Sequence, residues 1–247
     1  MFTFSQMQNL NELEMIVYNY IQENSEKIAK MTIRDLSENT HVSSTTILRF
    51  CSKMDCAGFS EFKFKFKQYL EDTKIEPVDE DAAQMIDFFK KVNTIEFEEK
   101  ITAAAQMIMN KERLYFVGLG TSGTLGKYGA RFFSNIGKGA QYLEDPFYPT
   151  DNSKYEDTLV VALSVSGEQR LLFKQIDGFK KGKATIISIT NTSNSTLAKI
   201  SDFNFSYYMP SIILPEKHNI TSQVPVIYIL EMIARRVQKM INERKDA

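Results

Sequence analysis

Five short apolar runs in the second half of the chain restrict the possible folds more than any other feature of the sequence. They read RLYFVGLG from Arg113, AQYLED from Ala140, TLVVALS from Thr158, ATIISIT from Ala184 and FNFSYYM from Phe203. Most are separated by helical patterns, such as Gly123 to Ile136 and Gln169 to Lys180. Strands that alternate with helices form a parallel sheet covered on both faces. The unbroken apolar stretch Leu159 to Leu163 fits a strand buried on both of those faces.

That strand runs into Ser164-Val165-Ser166-Gly167. Two readings of this loop are open: a helix cap made by serine oxygens, or an anion cradle made of hydroxyls and amides at the positive end of a helix. An earlier loop poses the same choice. In VGLGTSG, Gly118, Gly120 and Gly123 spell G-x-G-x-x-G after a strand, and Glu144 follows Gly123 by 21 residues, where a dinucleotide fold places its ribose carboxylate. The competing reading is a site for one phosphate, to which Thr121 and Ser122 add hydroxyls, while Gly123, Gly126 and Gly129 bring the helix close to the sheet. Two hydroxyl-bearing loops at the carboxyl ends of parallel strands fit a compact phosphorylated ligand better than a dinucleotide, which needs one glycine loop and a long apolar groove.

The first half of the chain reads as helices. Leu13, Ile16, Val17, Tyr20 and Ile21 form an amphipathic stripe that Asn11 and Glu14 open as a capping box. A second helix starts near Thr32, breaks at NTHVSS, and gives way to a third capped by Ser43, with Ile47, Leu48 and Cys51 expected on its inner face. Two short helices with a tight break match a helix-turn-helix. Thr45, Arg49, Ser52 and Lys53 lie on the other face, which suits either plain solvation or contact with base edges and phosphates. FSEFKFKFKQYL fits both strand and helix spacing and is read as helix. The acidic, proline-containing EDTKIEPVDEDAA is the best domain boundary, helical patterns resume at Ala82 to Val92 and Phe97 to Met109, and a last amphipathic helix covers Pro225 to Asn242.

Charge narrows the possible partners. A net charge of -1 opposes binding of nucleic acid or membrane through bulk charge, so any DNA contact must be local. Five basic side chains face two acidic ones from Arg49 to Lys67. Cys51 and Cys56 are not spaced as a CxxC pair, and His41 and His218 stand apart from them, so a reduced, cytoplasmic protein without a structural metal is expected. No run reaches the length of a membrane span, and the N-terminal stretch is not patterned as a secretion signal.

Taken together, these motifs resemble the RpiR/MurR family of bacterial transcriptional regulators, which join an N-terminal helix-turn-helix domain to a sugar isomerase (SIS) domain. The landmarks are Val42-Ser43, Arg49-Phe50-Cys51 and Gly58-Phe59-Ser60, followed by VGLGTSG, ALSVSGE and ISITNTSNSTLAKISD. The resemblance implies an α/β protein: an all-α helix-turn-helix domain over 1–75, a linker and connecting helix over 76–94, and over 95–247 a SIS-type α/β/α sandwich on a five-stranded, mostly parallel sheet. It implies operator DNA as one partner, met by Ser43, Ser44, Thr45, Thr46, Arg49 and Lys53. A phosphorylated sugar would be the other, held by Gly120, Thr121, Ser122, Ser164, Ser166, Gly167 and Gln169. It further implies a homodimer or dimer of dimers, with no cofactor, no metal and no catalytic residue. Gln169 stands where the family pattern has threonine, Thr196 replaces the proline of a later SPLA motif that begins at Ser195, and the segment from Asp145 to Asp157 is a few residues short. Two alternatives accompany this reading: a sugar-phosphate isomerase using Glu168 and His218, and a dinucleotide-binding redox sensor.

Overall fold

The computed structural model describes residues 3–71, 79–150, 154–216 and 218–245. The boundary expected around Pro77 lies outside the described residues, as does part of the short segment before Asp157. The chain divides into two compact units, Met1–Phe97 with Pro210–Leu214 and Glu98–Met209 with Pro215–Ala247.

The first unit is helical: α1 (Phe4–Gln8), α2 (Glu12–Glu23), α3 (Ser25–Ile28), α4 (Ile33–Thr40), α5 (Ser44–Lys53), α6 (Phe59–Glu71) and α7 (Glu80–Val92). The capping box expected at the start of α2 is formed, with Glu14 N–H donating to Asn11 Oδ1 and Asn11 N–H to Glu14 Oε2, each at 2.9 Å. Thr32 and Asp35 make the same arrangement on α4, and the bonds from Thr32 hold the Asp35 carboxyl below its usual pKa. His41 then closes α4 in the left-handed region at φ 53, and Ser43 opens α5. The FSEFKFKF segment is helical because Phe59, Phe62 and Phe66 stack along one buried side, a ladder that a strand would split between two faces. α7 joins this unit through a buried polar cluster, in which Asp87 accepts from Tyr69 Oη (2.6 Å) and pairs with Lys91, and Lys91 also reaches Tyr18. Burial pushes the Lys91 ammonium below its ordinary pKa, while Asp87 pulls the other way.

The second unit contains β1 (Arg113–Gly118), β2 (Ala140–Tyr142), β3 (Thr158–Ser164), β4 (Thr185–Thr190) and β5 (Phe203–Ser206). Its helices are α8 (Ile95–Met109), α9 (Thr121–Asn135), α10 (Arg170–Lys181), α11 (Thr196–Ile200) and α12 (Val224–Lys245). The sheet order is β2-β1-β3-β4-β5 and every pairing is parallel. β3 is buried at all seven positions, which accounts for its unbroken apolar run. The glycines of α9 do the packing expected of them: a Cβ on Gly126 would stand 2.9 Å from the Tyr142 ring, and one on Gly129 2.7 Å from the Phe116 ring. The short helices α1, α3 and α11 escape a periodicity reading because each is too brief to show an apolar stripe.

Candidate functional site

In the second unit the chain leaves β1 toward β2 on one side and leaves β3 toward β4 on the other. Right-handed crossovers therefore place α9 and α10 on opposite faces and open a crevice between the carboxyl ends of β1 and β3. Gly118 pairs with Leu163 at that edge, so the two hydroxyl-bearing loops are neighbours. Both helices start without a side-chain cap, α9 after Gly120 at φ 59 and α10 after Gln169. Their first-turn amides and dipoles face the crevice, which attracts negative charge.

The serines of the second loop do not cap α10. Ser164 Oγ is buried and accepts from Gly167 N–H (3.1 Å), and Ser166 Oγ accepts from Glu168 N–H (3.2 Å), so they shape the loop itself. Gly167 sits at φ 64, where a Cβ would strike Ser195. A third loop after β4 supports the second: Asn191 N–H donates to Val165 O and Leu197 N–H to Gly167 O, each at 3.0 Å. Ser195 caps α11, and Glu168 adds a second cap by accepting from Thr196 N–H (2.7 Å) and Thr196 Oγ1 (2.8 Å). The threonine in place of proline thus supplies both donors that hold Glu168. Gln169 is exposed. Asn194 Nδ2 in the third loop is buried and has no hydrogen-bond partner among the described residues.

In the first loop the hydroxyls meet a residue that strand and helix patterns did not mark. Ser122 Oγ donates to Gln223 Oε1 (3.1 Å), and Gln223 Nε2 donates to Thr121 Oγ1 (2.8 Å). Tyr142 Oη donates to Gly118 O (2.9 Å) and fills the space beside Gly123. Glu144 is exposed and paired with Lys127, so the carboxylate that a dinucleotide reading requires already holds a cation.

The first unit offers a different surface. On α5, Ile47, Phe50 and Cys51 are buried, and burial pushes the Cys51 thiol up to about 12. Leu48, expected on that inner face, is 45% exposed and lies with Thr45, Arg49 and Ser52 on the outer one. The helical angle decides this, because positions 47, 50, 51 and 54 form one stripe and 48 falls beside it. Ser43 Oγ caps Thr46 N–H (3.2 Å) and bonds Thr46 Oγ1 (3.0 Å), which leaves Ser44 and Thr45 at the start of the helix. Lys53 turns inward, with Nζ at 2.5 Å from the buried Glu14 carboxylate and 2.7 Å from Asn9 O.

Two family models match the chain: the rpiR-family helix-turn-helix domain over residues 4–73 and the SIS domain over 107–233. The chain belongs to the RpiR family. An uncharacterised HTH-type transcriptional regulator of Clostridium perfringens is 26% identical over 245 residues, covering 92% of this chain and 87% of that one. Among solved structures, the Vibrio vulnificus NanR protein complexed with ManNAc-6P is similar with a TM-score of 0.55 at 23% identity, covering 98% of this chain and 92% of that chain. The sugar isomerase domain of an RpiR transcription factor from Sphaerobacter thermophilus matches with a TM-score of 0.53 at 17% identity, over 66% of this chain and 91% of that chain. As an RpiR-type helix-turn-helix regulator with a SIS domain, the protein carries its helix-turn-helix match from α1 to α6 and its SIS match from the end of α8 into α12. Among the described residues no three metal-ligating side chains converge, and no helix is long and apolar enough to cross a membrane.

Proposed function

We propose that this RpiR-family regulator reads operator DNA through α5 and binds a phosphorylated sugar in the crevice at the carboxyl ends of β1 and β3. One observation carries the ligand reading: two uncapped helix N-termini and their hydroxyl-bearing loops meet where the strand order reverses. Gly120, Thr121 and Ser122 would surround the phosphoryl group from one side. Ser164, Ser166, Gly167 and Gln169 would do so from the other. The ManNAc-6P bound by the Vibrio NanR protein makes amino-sugar phosphates a sensible first set of ligands.

On DNA, Thr45, Arg49 and Ser52 would face the major groove, with Leu48 placed to meet a thymine methyl group. Ser44 and Thr46 flank them, while Ser43 and Lys53 position the helix through the cap and the Glu14 pair. A homodimer would present two such helices to two half-sites, and effector binding would regulate by favouring one arrangement of them. The protein would work in the cytoplasm, where its DNA is.

The crevice is a sensor rather than an isomerase site. Glu168 spends its carboxylate on the first turn of α11, and His218 lies in an exposed loop, so neither is poised as a base. A thermal-shift screen of hexose and amino-sugar phosphates tests the reading, because a ligand specific to the native state raises its melting temperature. Stabilisation by at least one phosphate, and none by the parent sugars, is expected. NMR evidence of turnover would replace the sensor with an enzyme.

A further inference from the structure

Gln223 is a contact that neither the sequence patterns nor the proposed ligand accounts for. Its carboxamide is matched to the first loop, its oxygen taking the Ser122 proton (3.1 Å) and its nitrogen donating to Thr121 (2.8 Å). Both hydroxyls belong to the first turn of α9, where an incoming phosphoryl group would find its donors. Phosphate oxygens only accept at this site, so they compete with Gln223 Oε1 for the Ser122 proton. The Thr121 hydroxyl can donate to the phosphate while still accepting from Gln223 Nε2, so the competition falls on the Ser122 bond. Gln223 Oε1 loses its bond once an anion takes the Ser122 proton.

The backbone of the same residue starts α12. Gln223 O accepts from Val226 N–H (3.0 Å) and Ile227 N–H (3.4 Å), and the buried side chains of that first turn, Pro225 and Val226, lead into the stripe Ile229, Leu230 and Ile233. α12 also packs on α9, so the two ends of the contact belong to neighbouring helices.

We propose that Gln223 is a latch that ties the start of α12 to the first loop and is loosened when a phosphoryl group takes the Ser122 proton. The proposal rests on the phosphate reading of the crevice and adds how occupancy is passed on. Ligand affinity is held down by the one bond that must break, and the loosened turn of α12 is the moving part.

Two substitutions separate a latch from an ordinary ligand contact. Gln223→Ala removes the competitor and should tighten binding of inorganic phosphate and of glucose 6-phosphate by about fivefold, the worth of one modest hydrogen bond. Gln223→Glu keeps the shape and can still accept from both hydroxyls, but repels the dianion, so it should weaken binding. Hydrogen exchange on the full chain should show residues 226–228 exchanging faster in unliganded Gln223→Ala than in the wild type, and faster in the wild type once phosphate is added. Weaker binding in both variants would make Gln223 a simple ligand contact and overturn the latch, while loss of binding in Ser122→Ala would leave the phosphate reading standing. If neither phosphate probe binds the wild type or Gln223→Ala, the phosphate reading and the latch fall together.

Discussion

The outer face of α5 and the crevice beside β1 and β3 both combine hydroxyls with the start of a helix, yet they hold them in different ways. On α5 the chemistry sits on side chains that point away from the fold, and the fold is secured behind them by Ile47, Phe50 and the Lys53 to Glu14 pair. In the crevice the chemistry sits on backbone and on loop hydroxyls that also hold the loops together, as Ser164 and Glu168 do. Substitution on α5 should therefore change recognition without changing the fold. Substitution in the crevice should disturb both at once.

Gly167→Ala is the strongest test of that contrast. The new methyl would adopt φ 64 and stand 2.5 Å from the Ser195 Cβ, so either the loop or α11 must shift. A loss of about 2–3 kcal/mol is expected in urea unfolding, together with loss of ligand response. A variant with wild-type stability would show that the crevice backbone is less constrained than its contacts require.

The next effect should come from behind the reading face. Lys53→Met removes the cation from a carboxylate that is only 1% exposed, leaving Glu14, among the described residues, with its cap to Asn11. Because Lys53 is itself partly open to solvent, a cost of about 2 kcal/mol is expected, below that of a fully buried pair. Glu14→Gln should cost less, since an amide oxygen can still accept from Asn11. DNA affinity should follow stability in both variants, which would make Lys53 a residue that positions the helix.

These cases show why parts of the molecule were legible in the sequence. The five strands and the order of the helices followed from periodicity, because β3 is buried on both faces and α2, α4 and α5 carry capping residues that announce themselves. The glycines of α9 were legible for a related reason, since regular spacing on one face implies close approach to the sheet. Leu48 was misplaced because it borders the buried stripe, and one helical step decides whether an apolar residue faces in or out. Lys53 and Gln223 were beyond reach, because their partners lie 39 and 101 residues away in the chain. Long-range pairing of polar side chains leaves no local pattern.

Arg49→Ala should leave the fold unchanged while lowering operator affinity by about tenfold at fixed salt, as expected for loss of one base or phosphate contact. Arg49 is exposed and makes no ion pair among the described residues, so little internal structure depends on it. A melting temperature that falls along with affinity would blur the division between the two surfaces.

The smallest effect should appear on α6, where charge alone is misleading. Lys63 Nζ donates to Met31 O (2.9 Å), and Lys65 Nζ donates to Asp55 O (2.8 Å) while pairing with Glu61 at 2.8 Å. The Glu61 bond raises the Lys65 pKa, so the ammonium stays charged but shares that charge with a carboxylate beside it. A lysine that grips phosphate contributes about one unit to the slope of log affinity against log salt. Lysines already bonded within the fold should contribute much less. Lys63→Ala and Lys65→Ala are therefore expected to change that slope by well under one unit in gel-shift titrations over a range of salt, and Arg49→Ala to change it more. A full unit lost at Lys65 would mean that DNA draws the side chain away from Glu61, and the reading surface would then extend from α5 onto α6.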